Sequence, residues 1–239
     1  PQLELIEQPS LDALGHVERA DAVIIDGDHN YYTVIQELRL IQERAEGPLP
    51  LLLFHDVCWP HARRDAYFTP ESIPEDYRQP MLEGVGLFPG VDGTRPGGLP
   101  YKWTAATEGG ERNGVLTAIE DFAQRLPNHR LVVVPAFFGF GALWDLDAPY
   151  AGALAELLDP WDRNPLLERL EANRVLHLAS SHYHLTRWNQ TQERLARQEA
   201  VLQDLLKSRS FALAELVSKL RQGGEPAVSR EEVRRALAD

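Results

Sequence analysis

Two runs of consecutive apolar residues, each closed by a polar turn, organise the first third of the chain. Residues 21–26 read Asp-Ala-Val-Ile-Ile-Asp and residues 50–54 read Pro-Leu-Leu-Leu-Phe. Short unbroken apolar runs of this kind suit strands of a parallel sheet, buried on both faces. Between them Val34, Leu38, Ile41 and Ala45 recur at helical spacing with charge on the other side, which predicts a helix over residues 32–45. Gly47 and Pro48 end it. Strand, helix, strand implies a crossover unit of a doubly wound α/β sheet. Leu3, Leu5 and Ile6 predict a further short strand over residues 2–7.

Beyond residue 56 the pattern changes twice. Residues 57–110 are rich in Pro and Gly with little periodicity, which predicts a long functional loop, a lid or a substrate loop. Val115, Ile119, Phe122 and Leu126 then mark a helix over residues 114–126. The stretch Leu131–Trp144 reads as two strands around a Pro-Gly bend, an antiparallel pair that ends the sheet. From Asp147 onward helices are expected over residues 151–158, 165–180 and 188–221. Leu195, Leu202, Leu205, Leu213, Leu216 and Leu220 form a narrow seam with charged flanks, either a short coiled coil or a helix packed on the domain, and a route to self-association. Residues 223–226 form a linker, and Ser229 with Glu232 has the form of a capping box opening a last helix. The expected organisation is a sheet domain over 1–147, a helical tail over 148–222, and a linker with a terminal helix over 223–239.

Composition narrows the function. Charged residues make up 25% of the 239, which is ordinary for a globular protein, but the net charge of −12 disfavours a nucleic-acid partner. The single cysteine, Cys58, excludes an internal disulfide and a cysteine-rich zinc site, and fits a cytoplasmic location. No stretch is apolar for long enough to span a bilayer.

The candidate chemistry lies in the two polar turns. The first is Asp26-Gly27-Asp28-His29-Asn30 and the second is His55-Asp56-Val57. In doubly wound sheets ligands bind outside the carboxyl ends of the strands. Adjacent strands would bring Asp26, Asp28, His29, His55 and Asp56 into one cleft. Such a set can hold a divalent cation, which lowers the pKa of a substrate hydroxyl, with His29 as general base. The alternative is structural: Asp and Asn at strand ends also cap the following helix or close a turn.

The stretches Asp21–Leu38, Leu51–Pro74, Glu108–Phe122 and Val132–Trp144 together resemble the methyltransferase family typified by macrocin O-methyltransferase. The resemblance rests on Ile25-Asp26-Gly27-Asp28-His29 and His55-Asp56-Val57 and covers roughly residues 3–146. It implies a Rossmann-like class I methyltransferase sheet and methyl transfer from S-adenosylmethionine, with Asp26, Gly27, Asp28 and His29 toward the cofactor. Asp26, His55 and Asp56 match a divalent-metal ligand set such as magnesium's, and His29 matches the position of a catalytic lysine. His55 in place of a carboxylate weakens the case for magnesium. The family's glycine-rich turn is expected before Pro1, so most of the cofactor pocket is expected outside these residues. Gly84–Gly86 and Gly139–Gly141 are not followed by the helix such a turn needs, and are expected to serve bends.

Trp59, His61, Arg63, Arg64 and Asp65 follow the second turn. Trp59, Arg63 and Arg64 are candidate substrate residues, with the arginines suited to an anion; the competing reading is a loop pinned by a tryptophan and salt bridges. Glu108 to Asn113 suit the entry turn of a helix. His182 and His184 lack further nearby ligands, and Cys58 reads as a small buried apolar residue. The segment Leu202–Phe211 is similar to helical connectors of bacterial enzymes that build surface glycans, which turns the expected substrate from any small-molecule hydroxyl toward a saccharide. A metal-dependent hydrolase using the same Asp and His cluster, and a non-catalytic scaffold or oligomerisation module, are the competing functions.

Overall fold

The computed structural model describes residues 3–17, 20–45, 47–91, 97–222, 231, 233 and 234. The expected linker and capping box therefore lie outside the described residues. The chain divides into two compact units, residues 1–183 and 184–239.

The first unit is built on a four-stranded mixed sheet. A single helical turn, α1 (Ser10–Ala13), leads to β1 (Ala22–Ile25), α2 (Tyr31–Arg44) and β2 (Leu51–His55). A separate hairpin follows, β3 (Met81–Leu87) and β4 (Leu99–Ala105). Then come α3 (Val115–Ala123), β5 (His129–Val134), β6 (Phe140–Asp145) and α4 (Ala151–Leu158). The sheet order is β1-β2-β6-β5. β1 and β2 are parallel, as the crossover predicts, and β6 runs antiparallel to both β2 and β5.

Alternation along β2 shows why the sheet is covered on two sides. Leu52 and Phe54 point into a core with Val34, Ile35 and Leu38 of α2 and Ile119 and Phe122 of α3. Leu51 and Leu53 pack on the opposite side with Val132, Ala142, Trp144 and the Leu154 and Leu158 side of α4. At about 1.5–3 kcal/mol for each large apolar side chain removed from water, these two layers supply most of the driving force for this unit.

Four expectations need correction. Residues 3–7 are not a strand: Leu3 is 94% exposed, and no described strand lies beside it to pair with. β1 is not buried on both faces. It is an edge strand, and Ile24 is 74% exposed because α4 covers the sheet only over β2, β6 and β5. Residues 57–110 are not one long loop, since β3 and β4 pair over their full length and Ala66 bridges to Thr104. Gly84 and Gly86 accordingly lie inside β3, where Gly84, with φ 62° and no partner in the register, makes a local kink and Gly86 pairs with Pro100. Finally, no break separates residues 180 and 188. One helix, α5 (Pro165–Lys207), runs through, and α6 (Arg209–Gln222) follows.

Local chemistry sets those helix limits. Pro165 occupies the first turn, where its missing N–H costs nothing, and the Asn164 side chain accepts from the N–H groups of Leu166 and Leu167. No Gly or Pro interrupts residues 166–207. Ser208 then caps α6 by accepting from the Phe211 N–H at 3.0 Å. In the second unit the seam leucines, Leu195 to Leu220, are all exposed. Among the described residues no helix is long and apolar enough to cross a membrane.

One buried carboxylate ties the first unit together. Asp65 is fully buried, and its Oδ1 accepts from the N–H of Tyr31 at 2.8 Å and of Gly114 at 2.7 Å, the first residues of α2 and of the α3 entry. Its Oδ2 accepts from the Tyr67 hydroxyl at 2.9 Å. Burial, outweighing these bonds, pushes its pKa up to about 6. Asp65→Ala leaves three buried donors without an acceptor, so a loss of roughly 3 kcal/mol or more is expected in denaturant unfolding. Asp65→Asn retains an acceptor at Oδ1 and is expected to lose clearly less; equal losses for the two variants would contradict this role.

Candidate metal centre and its surroundings

The pairing of β1 with β2 fixes where the chemistry falls. Ile25 stands opposite Phe54, so Asp26 and His55-Asp56 leave the sheet side by side at its carboxyl end. His55 Nδ1 lies 3.5 Å from Asp26 Oδ1 and 3.3 Å from Asp56 Oδ1. Donors about 2.0–2.2 Å from one cation stand about 3–3.5 Å apart, so His55 is already spaced from each aspartate as two ligands would be, and all three donors lie within 4.8 Å of one another. Asp26 and His55 are open to solvent, while Asp56 is buried.

Asp56 holds a left-handed backbone conformation, φ 59°, uncommon outside glycine and here held by a constraint from its surroundings. The constraint is visible. The Cys58 N–H donates to the Phe138 carbonyl at 2.7 Å, and Gly139 passes so close that a Cβ there would sit 2.6 Å from the Cys58 nitrogen. Phe137 and Phe138 are themselves left-handed, and their N–H groups donate to the Glu171 carboxylate at 3.1 and 2.7 Å. Arg174 neutralises Glu171 at 2.6 Å and lies over the Phe138 ring. Gly139 thus serves a bend, as expected, and the bend locks the segment after β2, whereas Gly141 lies inside β6, paired with Phe54 and Val133.

His29 reaches the same carboxylate from the other turn, with Nε2 2.7 Å from Asp56 Oδ2. Its ring stacks on His61 at 4.4 Å, and His61 Nε2 lies 3.2 Å from the Tyr101 hydroxyl. Phe68, largely exposed, stands 5.9 Å from the His29 ring. Burial disfavours a charged His29, but the bond to Asp56 and the charges of Asp56, Asp26 and Asp28 outweigh it, and its pKa is raised. Burial likewise opposes ionised Asp56; the bond from His29 and the surrounding imidazoles outweigh that, and its pKa is lowered. His61 is the contrast. Burial, reinforced by the neighbouring His29, brings it down to about 3, so it is a neutral imidazole near pH 7.

The remaining candidates divide cleanly. Asp28 is part of the α2 cap: its Oδ2 accepts from Asn30 Nδ2 and from Thr33 Oγ1, while Asn30 accepts from the Thr33 N–H. Gly27 has open space where a Cβ would be. Arg63 is held on α3 by Glu120 at 2.6 Å and Thr117 at 3.1 Å. Arg64 is buried and donates to the Ala105 carbonyl. Both arginines are thus engaged in pinning the loop, the structural reading of that stretch, and Trp59 is half-buried beside them in sequence. Asn113 accepts from the Asp65 N–H and donates to the carbonyls of Thr107 and Gly109, so residues 108–113 form the entry to α3. Burial, with Glu171 and Glu168, pushes the Cys58 thiol up to about 11, which leaves little thiolate. His182 and His184 lie along α5.

Sequence reasoning placed His61 in the substrate loop and passed over Tyr101. His61 follows the turn by only five residues, and a His beside a cluster of His and Asp was a usable signal. Tyr101 arrives from the hairpin, and nothing in its local sequence marks it.

No family model, curated protein or solved structure matches the chain.

The pair His29–Asp56 has a defined pH window. A raised His29 pKa favours the fold fully below its ordinary 6.5 and ceases to do so as pH rises through the raised value. A lowered Asp56 pKa favours it above the ordinary 3.8 and ceases as pH falls through the lowered value. Between those two pKa values the pair is intact. An NMR titration of His29 is expected to give a midpoint above 6.5, and Asp56→Asn is expected to bring it down; an unchanged midpoint in the variant would show that Asp56 does not hold the proton there.

Proposed function

We propose that the chain carries the acceptor side of an S-adenosylmethionine-dependent methyltransferase that modifies a hydroxyl of a small molecule or saccharide. The observation that carries the reading is the spacing of Asp26, His55 and Asp56 at the carboxyl ends of two adjacent parallel strands. The resemblance carried by the two turn motifs gives that cluster its chemistry. The mixed sheet, with its reversed β6 against β5, agrees with a class I sheet that closes in an antiparallel pair. Open space at Gly27 suits a ligand laid against the turn backbone.

Bound here, a divalent cation would polarise the acceptor hydroxyl, and S-adenosylmethionine would supply the electrophilic methyl group. The chain's own residues do the rest. Asp26, His55 and Asp56 orient the hydroxyl oxygen, and orientation is the main service for an in-line transfer. His29, its Nε2 turned to Asp56, accepts the hydroxyl proton at the other ring nitrogen as the carbon–oxygen bond forms and the carbon–sulfur bond breaks, and Asp56 stabilises the imidazolium that results. Phe68 offers an exposed apolar surface beside His29 for the rest of the acceptor. Arg63 and Arg64 contribute indirectly, by fixing the loop that brings in His61.

Transfer of labelled methyl by the full-length protein, across a panel of saccharide and small-molecule alcohols, tests the reading. His29→Ala is expected to lower turnover by roughly 10²–10⁴-fold. The acid limb of the wild-type pH profile is expected above 6.5, because the base must first lose its proton and its pKa is raised. Turnover of a hydrolysable substrate with no need for S-adenosylmethionine would favour a metal-dependent hydrolase instead.

A further inference from the structure

We propose that Asp56 bridges two cations, with a second, inner site formed by His29, Asp56 and His61 behind the outer site of Asp26, His55 and Asp56. Methyl transfer as proposed above requires only the outer site, and the inner one follows from geometry independent of that reading.

The two oxygens of Asp56 face different partners. Oδ1 lies 3.3 Å from His55 Nδ1, on the Asp26 side. Oδ2 lies 2.7 Å from His29 Nε2, on the His61 side. In each triad the donor atoms lie within 4.8 Å of one another. A carboxylate split in this way is the bridging ligand of paired metal sites, whose cations stand about 3.5–4 Å apart. The left-handed backbone at Asp56, clamped through Cys58, Phe138 and Glu171, fixes that split.

The inner triad has features that a simple ion pair would not need. His61 is buried, and its ring lies against that of His29 at 4.4 Å. A buried imidazole in such a position offers a neutral nitrogen donor, the form a metal binds. The Tyr101 hydroxyl, 3.2 Å from His61 Nε2, orients the ring from the hairpin side. Loading the inner site requires the 2.7 Å contact of His29 with Asp56 to open by about half an ångström, to the separation of two ligands on one cation. Two imidazoles and one carboxylate favour zinc, manganese, iron(II) or cobalt over magnesium. The outer triad, with two carboxylates and one imidazole, is the harder site of the two. A cation on His29 Nε2 leaves the ring's one proton on its other nitrogen, so the inner site, when filled, withdraws His29 from base catalysis.

The test is calorimetric titration of chelator-treated, full-length protein with zinc chloride and, separately, with manganese chloride. Two equivalents are expected for the wild type. His61→Gln is expected to lose one equivalent and keep the other, and Asp26→Ala, at an exposed position, is expected to do the same for the opposite site. Asp56→Asn is expected to weaken both. As a second readout, zinc is expected to shift the NMR signals of both His29 and His61 with one equivalent and that of His55 with the other. A single equivalent in the wild type, two equivalents retained in His61→Gln, or a wild-type His61 signal unshifted at two equivalents would overturn the proposal. Neither result bears on methyl transfer, which fails separately if His29→Ala leaves turnover unchanged.

Discussion

A carboxylate buried without a cationic partner is costly to keep, and this fold keeps one, Asp65, which has no such partner among the described residues. Asp65 accepts from the backbone N–H groups that open two helices, so the cost of its burial is offset by donors that would otherwise be orphaned. Its own backbone carries the arrangement further. The Asp65 carbonyl accepts from the Ala105 N–H and the Thr104 hydroxyl, which fastens the β3–β4 hairpin to the sheet domain. The next residue, Ala66, donates to the His29 carbonyl and so pins the turn that carries the site histidine. Sheet, hairpin and site turn share this one anchor.

The site depends on that anchor through position and on Asp56 through charge. Three histidines and two aspartates at one sheet end would be mutually costly if all were ionised. The structure separates them by burial. His61 is deep and neutral, His29 is held toward its charged form by Asp56, and Asp26 and His55 stay at the open rim. The result is a gradient from a polar, solvated rim to a dry interior across a few ångströms, with one strained aspartate at the junction. Strain of this kind persists where the surroundings over-determine the backbone, and here they do so through the Glu171–Arg174 pair.

Much of this is legible in the sequence, and the illegible parts have physical causes. Unbroken apolar runs exposed β1 and β2, and a 3.6-residue period exposed α2 and α3. Asp26, His55 and Asp56 meet because those two strands are parallel neighbours, which the crossover helix already implied. The hairpin escaped notice because Gly84, Gly86 and Pro100 interrupt its alternation, and because Glu83 and Lys102 sit on its open side. Leu3 and Leu5 imitate a strand, but alternation alone forms no strand without a neighbour. The polar stretch Ser181 to Arg187 imitates a helix break, yet without Gly or Pro the helix simply continues. The lower-lying half of the site, His61 and Tyr101, is assembled by the loop and hairpin that Asp65 fastens, a long-range effect with no local signature.

The central claim is that the carboxyl end of β1 and β2 serves methyl transfer. Calorimetric titration of S-adenosylmethionine into the full-length protein, with magnesium and then with chelator, tests it most directly. The account predicts binding under both conditions, with the cation required only for turnover of an acceptor. Absence of binding by folded, full-length protein would contradict it and leave the Asp and His cluster to metal-dependent hydrolysis or to a purely structural role.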